Sequence, residues 1–516
     1  MTSLRDALKR LWTADDDADM VQCGGTWTPW GQIRSLTEKL DAELASAGCA
    51  AGGRVAVVLG NRVESVAALI AILASGRTLV TISPLQPPER LAADLAATGA
   101  GYVLAPEALW SDPHFTAAVA DLGAAGWSLE GQSVTVRATA TQVSAAGDPA
   151  VAIEMLTSGT TGAPKRVPLT TAQLEAALAA PLRHSNRPEV RDKPPLTGAV
   201  GIVTLPIVHI GGLFGLLQAL RVARPFVLLE KFSVAAWHAA VKEHRPILAG
   251  LPPPALRSVL DSGIPREDLS SIRAINAGTS PVEPALVDAF LDRYGIPILI
   301  VYGATEFSGA VAGWTLPDFK AFWSDKKGSV GRAFPGVRLR TVDEAGVVVA
   351  AGGSGRLQIN SAQVGGAADR WVTTSDIAHL DGDGFLYIDG RADDVILRGG
   401  FKIAPDTVVQ ALRRHEAVAD AAVAGLADAR LGQIPFAAVE LRSGASVTPE
   451  QLREHCRTIL TPYEVPAQVF IVDELPRGPS LKVDRRRFAA MLDELRSREL
   501  TLASDAVQLK FQEETT

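Results

Sequence analysis

Short apolar runs alternate with amphipathic stretches over the first two thirds of the chain. Arg54 to Leu59 (RVAVVL) has the unbroken apolar pattern of a buried strand, Ser65 to Leu73 that of a helix, and Thr78 to Ile82 (TLVTI) is again strand-like. Glu89 to Ala97 then predicts a helix and Gly101 to Leu104 a strand. The alternation returns between Val200 and Tyr302, with strand candidates at 226–229, 247–250, 272–275 and 297–301. Strands alternating with helices of this size imply right-handed crossovers and a parallel sheet covered on both faces. Such sheets take ligands beyond the carboxyl ends of their strands. The polar run 157–165 follows the apolar stretch Val151–Leu156, and Gly303–Glu306 follows Ile298–Tyr302, so both fall at ends of that kind.

Past residue 330 the pattern shortens to small strands and turns: Val337 to Val342, Gly355 to Ile359, and DGDGFLYIDG from Asp381 to Gly390. After Arg391 a helix is predicted over 406–414, strands over 421–424 and 436–441, and helices over 449–460 and 485–496, a small α+β domain. The stretch Leu196–Leu220 carries no Asp, Glu, Lys or Arg and resembles a membrane span. Pro206, His209, Gln218 and glycines at 198, 201, 211, 212 and 215 fit better with a buried strand, a loop and the start of a buried helix.

A length of 516 residues exceeds one typical core, so two or more domains are expected. The balance of 50 basic against 57 acidic residues, net charge -7, argues against a broad nucleic-acid surface. Cys23, Cys49 and Cys456 lack the spacing of a disulfide framework or a zinc site and fit a reducing, cytoplasmic setting. The N-terminus has no apolar core before Asp15, Asp16 and Asp17, so no secretory signal is read there. The last dozen residues, polar and acidic, are expected to fray.

The chemistry concentrates first in Leu156–Thr170, LTSGTTGAPKRVPLT. Thr157, Ser158, Thr160 and Thr161 offer hydroxyl donors, and Gly159 and Gly162 allow a tight turn that brings backbone N–H groups against phosphate oxygens. Lys165 adds a positive charge, and together these suit a polyphosphate. Pro164 and Arg166 flank that lysine where the Walker pattern needs Gly and Ser or Thr, so an ordinary P-loop NTPase is disfavoured.

Further motifs follow in order: LPIVHIGG (205–212), NAGTSP (276–281), VYGATE (301–306), TTSDIAHLDGDGFLYIDGR (373–391), GRADDVILRGGFKIAP (390–405) and LPRGPSLKVDR (475–485). With them the chain resembles, over nearly its whole length, the acyl-adenylate-forming ligases, and most of all the acyl-CoA synthetase and aryl-CoA ligase type. The resemblance implies an α/β fold: a large N-terminal ATP- and acid-binding domain (1–390) of parallel-rich sheets with flanking helices and a distorted β-barrel region. A small mobile α+β C-terminal domain (391–516), hinged at Asp393, would carry the catalytic lysine.

The resemblance also implies residue roles. The loop 157–165 would hold the β- and γ-phosphates of ATP, Thr305 would reach the α-phosphate, and Glu306 would help hold Mg2+, a hard cation suited to carboxylate and phosphate oxygens. Thr279, Ser280, Tyr302, Gly303 and Ala304 would enclose the adenine and α-phosphate, Asp376 the ribose hydroxyls, and Arg391 ribose and phosphate. Lys482 would stabilise the charge that develops between the α-phosphate and the departing pyrophosphate. His209, Ile210, Gly211, Phe214, Ala277, Gly278, Ala304, Phe307 and Gly309 would form the acid pocket, an apolar set that favours an aryl or medium-to-large apolar acid, and His209 would also act in catalysis by closing the channel between the acid's carboxylate and the thiol site. Arg398, Gly399, Gly400 and Phe401 would line the tunnel for coenzyme A.

Four positions depart from the family pattern. Arg166 and Leu481 stand where glycines are usual, Ser375 replaces the glycine before the ribose aspartate, and Thr407 replaces a glutamate. The expected activity is acid:CoA ligation through acyl-AMP, by a monomer or homodimer without a membrane span. A stand-alone adenylating enzyme that passes the acyl group to an amine or a carrier protein is the second reading. A catalytically silent nucleotide-binding or membrane-associated protein is the third.

Overall fold

The computed structural model describes residues 3–142, 147–157, 165–184, 194–365, 370–392, 394–398, 401–428, 430–478 and 482–498. These divide into two compact units, the first drawn from Met1–Leu339, Ile359–Val372 and Gly384–Leu386, the second from Arg340–Gln358, Thr373–Asp383 and Tyr387–Thr516.

Within the first unit, a seven-stranded sheet runs in the order Ser133–Ala138, Ala125–Glu130, Tyr102–Pro106, Arg54–Val58, Thr78–Ile82, Val151–Thr157, Lys165–Thr170. The five inner strands are parallel, and each edge strand is antiparallel to its neighbour. The helix Val63–Ala74 is apolar on every side, and Ser65–Leu73 are all buried, as a helix covered on all faces requires. It packs against Trp30–Ser46, whose Trp30, Ile33, Leu36, Leu40 and Leu44 recur at helical spacing and are fully buried. Each such Leu or Ile is worth roughly 1.5–3 kcal/mol relative to exposure.

A five-stranded sheet follows the order Leu248–Gly250, Ala274–Ala277, Ile298–Ala304, Gly309–Gly313, Arg332–Ala333. Its first three strands are parallel, so the segments after Gly250, Ala277 and Ala304 leave from one edge. A third sheet joins Gly201–Val203, Phe226–Leu228, Asp19–Cys23 and Thr26–Pro29, a pairing of N-terminal strands with strands two hundred residues away that the pattern did not predict. The apolar stretch 196–220 holds the strand Gly201–Val203, a loop and the start of the 12-residue helix Ile210–Arg221. Among the described residues no helix is long and apolar enough to cross a membrane.

Most of a four-stranded sheet, Arg338–Val342, Gly355–Asn360, Val372–Leu380 and Leu386–Arg391, belongs to the second unit. It occupies the region expected to be a distorted barrel, and its strand order is open. The rest of that unit is the α+β arrangement predicted: Val418–Asp428 pairs antiparallel with Gly432–Leu441, and Gln468–Val472 adds in parallel. Helix Pro405–Arg413 buries Val408, Ala411 and Leu412 on one face. Helix Pro449–Arg457 starts with a capping box between Thr448 and Gln451. Both strands are longer than the predicted 421–424 and 436–441.

Candidate active site

The phosphate-loop candidate closes a hairpin at the edge of the seven-stranded sheet. Thr157 pairs with Lys165, and Leu156 with Arg166. Ser158, Gly159, Thr160, Thr161 and Gly162 lie outside the described residues, as does the side chain of Thr157. Successive residues of a strand point to opposite faces. Lys165 is exposed, whereas the Arg166 side chain turns inward and is 15% exposed. Its guanidinium donates to the Thr81 carbonyl at 3.1 Å and pairs with Asp94, on the helix Pro88–Ala96, at 2.5 Å. Gln86 donates to the other oxygen of Asp94 at 3.0 Å. Arg166 therefore ties the outgoing strand of the loop to the helix Pro88–Ala96 and to the strand Thr78–Ile82, one strand further in, which gives this departure from the family pattern a structural role.

The strand Lys165–Thr170 packs against the short turn Thr305–Phe307, so the exit of the phosphate loop and the Thr305–Glu306 pair meet within one unit. Gly303 and Ala304 end the strand that feeds this turn, and Glu306 is exposed at its tip. On the parallel neighbour, Ala277 is buried at the strand end, and Gly278, Thr279 and Ser280 follow as a turn. Thr279 holds a left-handed φ of 72°, rare for a β-branched residue, and its hydroxyl is buried without a hydrogen-bond partner. Strain and an unmet donor at one residue are features that gather at ligand sites.

The acid-pocket candidates converge here. His209 is the N-cap of the helix Ile210–Arg221, and a Cβ on Gly211, two residues on, would come within 3.1 Å of the Thr279 methyl. Phe214 lies over Gly309, whose φ of 137° suits glycine and whose missing Cβ would meet the ring at 2.9 Å. Phe307 is buried, with its ring 6.3 Å from that of Tyr302. Two positioning side chains were not anticipated from sequence. Thr204 donates to Gly250 O at 2.8 Å. Asn61, buried, donates to Leu205 O at 3.1 Å and Leu229 O at 2.7 Å and accepts from Ile207 N–H at 2.8 Å. Two of the three Asn61 bonds secure the backbone that leads to His209, and the third ties it to the end of the strand Phe226–Leu228. The only signal for it was a Gly-Asn pair shortly after a strand, a common turn combination.

The second unit carries the remaining candidates. Asp376 and Arg391 lie on the strands Val372–Leu380 and Leu386–Arg391, with Arg391 Nη1 3.8 Å from Asp376 Oδ1 and Nε 3.6 Å from Asp394 Oδ2. Arg391 also donates to the hydroxyl of Ser375, and Arg485 pairs with Asp394. Ser375 thus takes up a contact that a glycine at its position has no atom to make. Burial pushes the Asp406 carboxyl up, against the pull of Arg485, Arg413 and Arg391. Asp393, Gly399 and Gly400 lie outside the described residues, as does the side chain of Phe401. Arg398 donates to the Tyr463 carbonyl at 2.6 Å. Lys482 is exposed on a turn whose Gly478 N–H donates to Lys482 O at 2.7 Å.

Cysteine chemistry has no foothold: Cys23, Cys49 and Cys456 are free thiols, and burial pushes each of them up to about 11. Among the described residues no three His, Cys, Asp or Glu side chains form a metal cluster.

Comparison with known proteins matches residues 9–366 to the model of the AMP-binding enzyme and residues 408–482 to that of the AMP-binding enzyme C-terminal domain. The chain is 28% identical over 496 residues to 4-coumarate–CoA ligase 5 of Oryza sativa subsp. japonica, covering 91% of this chain and 90% of that one. It is 30% identical over 351 residues to a 2-succinylbenzoate–CoA ligase of Bacillus cereus, covering 66% and 70%. Among solved structures, the amide bond synthetase McbA of Marinactinospora thermotolerans superposes with a TM-score of 0.77 at 25% identity, over 95% of this chain and 99% of that one. The first of the two family models spans well over half of the chain and the second follows it in order, so this protein belongs to the AMP-binding enzyme family.

Proposed function

We propose that the protein is an ATP-dependent carboxylic acid:CoA ligase of the aryl-CoA ligase type. It activates an aryl or medium-to-large apolar acid as acyl-AMP, releases pyrophosphate, and forms the acyl-CoA thioester. Two contacts within one unit support this reading: the phosphate-loop exit strand lies against the Thr305–Phe307 turn, and the strained Thr279 lies against Gly211 at the start of the helix capped by His209. The matches to two aryl-CoA ligases supply the substrate class, and Phe214, Phe307 and Ile210 suit an aromatic or apolar body.

In the first half-reaction the acid's carboxylate attacks the α-phosphate of ATP, which brings two anions together. Lys165 and the loop's N–H groups hold the leaving phosphates, Thr305 orients the α-phosphate, and Lys482 meets the charge at the bridging oxygen. Glu306 suits Mg2+, because that ion takes one or two carboxylates and completes its shell with phosphate oxygens and water. Asp376 accepts from the ribose hydroxyls. In the second half-reaction the thiol of CoA attacks the mixed anhydride, guided by the 398–401 segment, and AMP leaves. The exchange of Lys482 for that segment is a rotation about Asp393. The free thiols suit a cytoplasmic enzyme.

The test measures acid-dependent pyrophosphate release across a panel of carboxylic acids, with and without CoA. Release with an aryl acid and thioester formation are expected; release with no thioester favours transfer to an amine, the reading supported by the likeness to McbA. No release with any acid sinks both. Lys482→Ala should lower adenylation by on the order of a hundredfold or more, as loss of a single electrostatic group does, while still converting supplied acyl-AMP to thioester.

A further inference from the structure

The turn that carries Lys482 is held by a buried ionic cluster. Its two legs are zipped together: Arg477 pairs antiparallel with Val483, and the Asp484 N–H donates to Pro476 O at 2.7 Å. From the first leg the Arg477 side chain reaches into the sheet, where its Nη2 donates to Asp420 at 2.5 Å and to both oxygens of Glu440 at 3.1 Å. Asp420 and Glu440 stand directly opposite each other on the antiparallel strands Val418–Asp428 and Gly432–Leu441. Like charges facing across a strand pair repel, so the pair calls for a cation between them, and Arg477 is placed to supply it. The same Glu440 accepts from the Leu475 N–H at 2.6 Å, which fixes the start of the leg as well as its middle. Arg413 holds the far side of Asp420, with its Nε at 2.8 Å, and the Ala421 N–H adds a bond of 2.8 Å. These four side chains are only 14–22% exposed, whereas Lys482 itself is exposed.

We propose that Arg477, locked between Asp420 and Glu440, is the positioning residue that sets the geometry of Lys482 for acyl-adenylate formation and has no part in thioester formation. This rests on the assignment of Lys482 to the first half-reaction. Lysine is a point charge on a flexible four-carbon stem, so its placement depends on the backbone beneath it. The cluster holds the first leg through four hydrogen bonds, three from Arg477 and one from the Leu475 N–H, and the Arg477–Val483 bridge passes that hold to the second leg. All three contacts from Arg477 come from Nη2, which the planar guanidinium holds in a fixed direction, whereas a lysine here would present its charge on a freely rotating, strongly hydrated ammonium.

The test compares Arg477→Met, Arg477→Lys and Glu440→Gln in the full chain. Wild-type protein is assayed with 4-coumarate, benzoate and octanoate, and the fastest acid serves for all variants. Two rates are read: acid-dependent pyrophosphate release, and thioester formation from supplied acyl-AMP and CoA. Arg477→Met should lose adenylation kcat by on the order of tenfold to a hundredfold, the scale of a misplaced catalytic group, with the KM for ATP and the thioester rate within about twofold of wild type. Arg477→Lys should recover only part of the loss. Glu440→Gln keeps the acceptor for Leu475 and gives a smaller loss confined to adenylation, so it remains informative where Arg477→Met fails to fold. Equal losses in both half-reactions, or unchanged adenylation, overturn the proposal. Wild-type protein that releases no pyrophosphate with any acid instead defeats the ligase assignment, and the positioning role with it.

Discussion

Among the described residues, Thr279 combines a left-handed backbone with a buried hydroxyl that lacks a partner. A β-branched side chain at a φ of 72° is a conformation worth about 1–3 kcal/mol of strain. Thr279→Gly should raise the urea midpoint by an amount equivalent to about 1 kcal/mol and raise the KM for ATP; a lower midpoint would show that no strain is stored there. The sequence made Thr279 a nucleotide candidate through NAGTSP but held no sign of its backbone, because strain arises from neighbours such as Gly211 and not from composition. Arg166 shows the same limit. Its partner Asp94 lies 72 residues away, and no local spacing could pair them.

At the scale of elements, that ion pair fastens the phosphate-loop hairpin to the helix Pro88–Ala96. With side chains 15% and 7% exposed, removing one partner leaves a buried charge alone. Asp94→Asn should therefore cost about 3 kcal/mol in urea unfolding, and combining it with Arg166→Met should recover part of that loss. No recovery would show that the two residues act independently. The strands and helices between 54 and 104 were legible because apolar runs and amphipathic stretches alternate cleanly, and Thr78–Ile82 was predicted to the residue. The strand Val418–Asp428 was cut short because Asp, Ala and Gly in VADAAVAGLAD carry little strand signal; pairing along Gly432–Leu441 extends it. The strand Asp19–Cys23 depends likewise on a partner, Phe226–Leu228, that only the folded chain brings alongside.

On the scale of the whole molecule, charge sets the acid limit of stability. Burial alone would raise the Asp420 carboxyl, but Arg413 and Arg477 outweigh it and hold it below the ordinary value. Its contribution is complete above the unfolded carboxylate pKa of ~3.9 and fades as pH falls through that value toward the native one. Asp406, raised by burial, has the opposite sign: the native state keeps its proton longer, so its share of stability improves as pH falls. Asp420→Asn should accordingly lower stability at neutral pH and flatten the loss seen below about pH 4, read as urea midpoints across the acid range. An unchanged acid limb would remove Asp420 from that account.

The path of the chain through its two units has a consequence for recombination between relatives. The polypeptide passes from one unit to the other after residues 339, 358, 372, 383 and 386, and all five of these passages fall within or between strands of one four-stranded sheet. A crossover at any of them would graft foreign strands beside native ones and ask unmatched side chains to share a register. The last strand of that sheet ends at Arg391, so a junction just beyond it exchanges the C-terminal sheet and the Lys482 turn as an intact module. Exchange of parts is therefore open to this fold at one narrow window, and the segments before and after Arg391 can come from different ancestors.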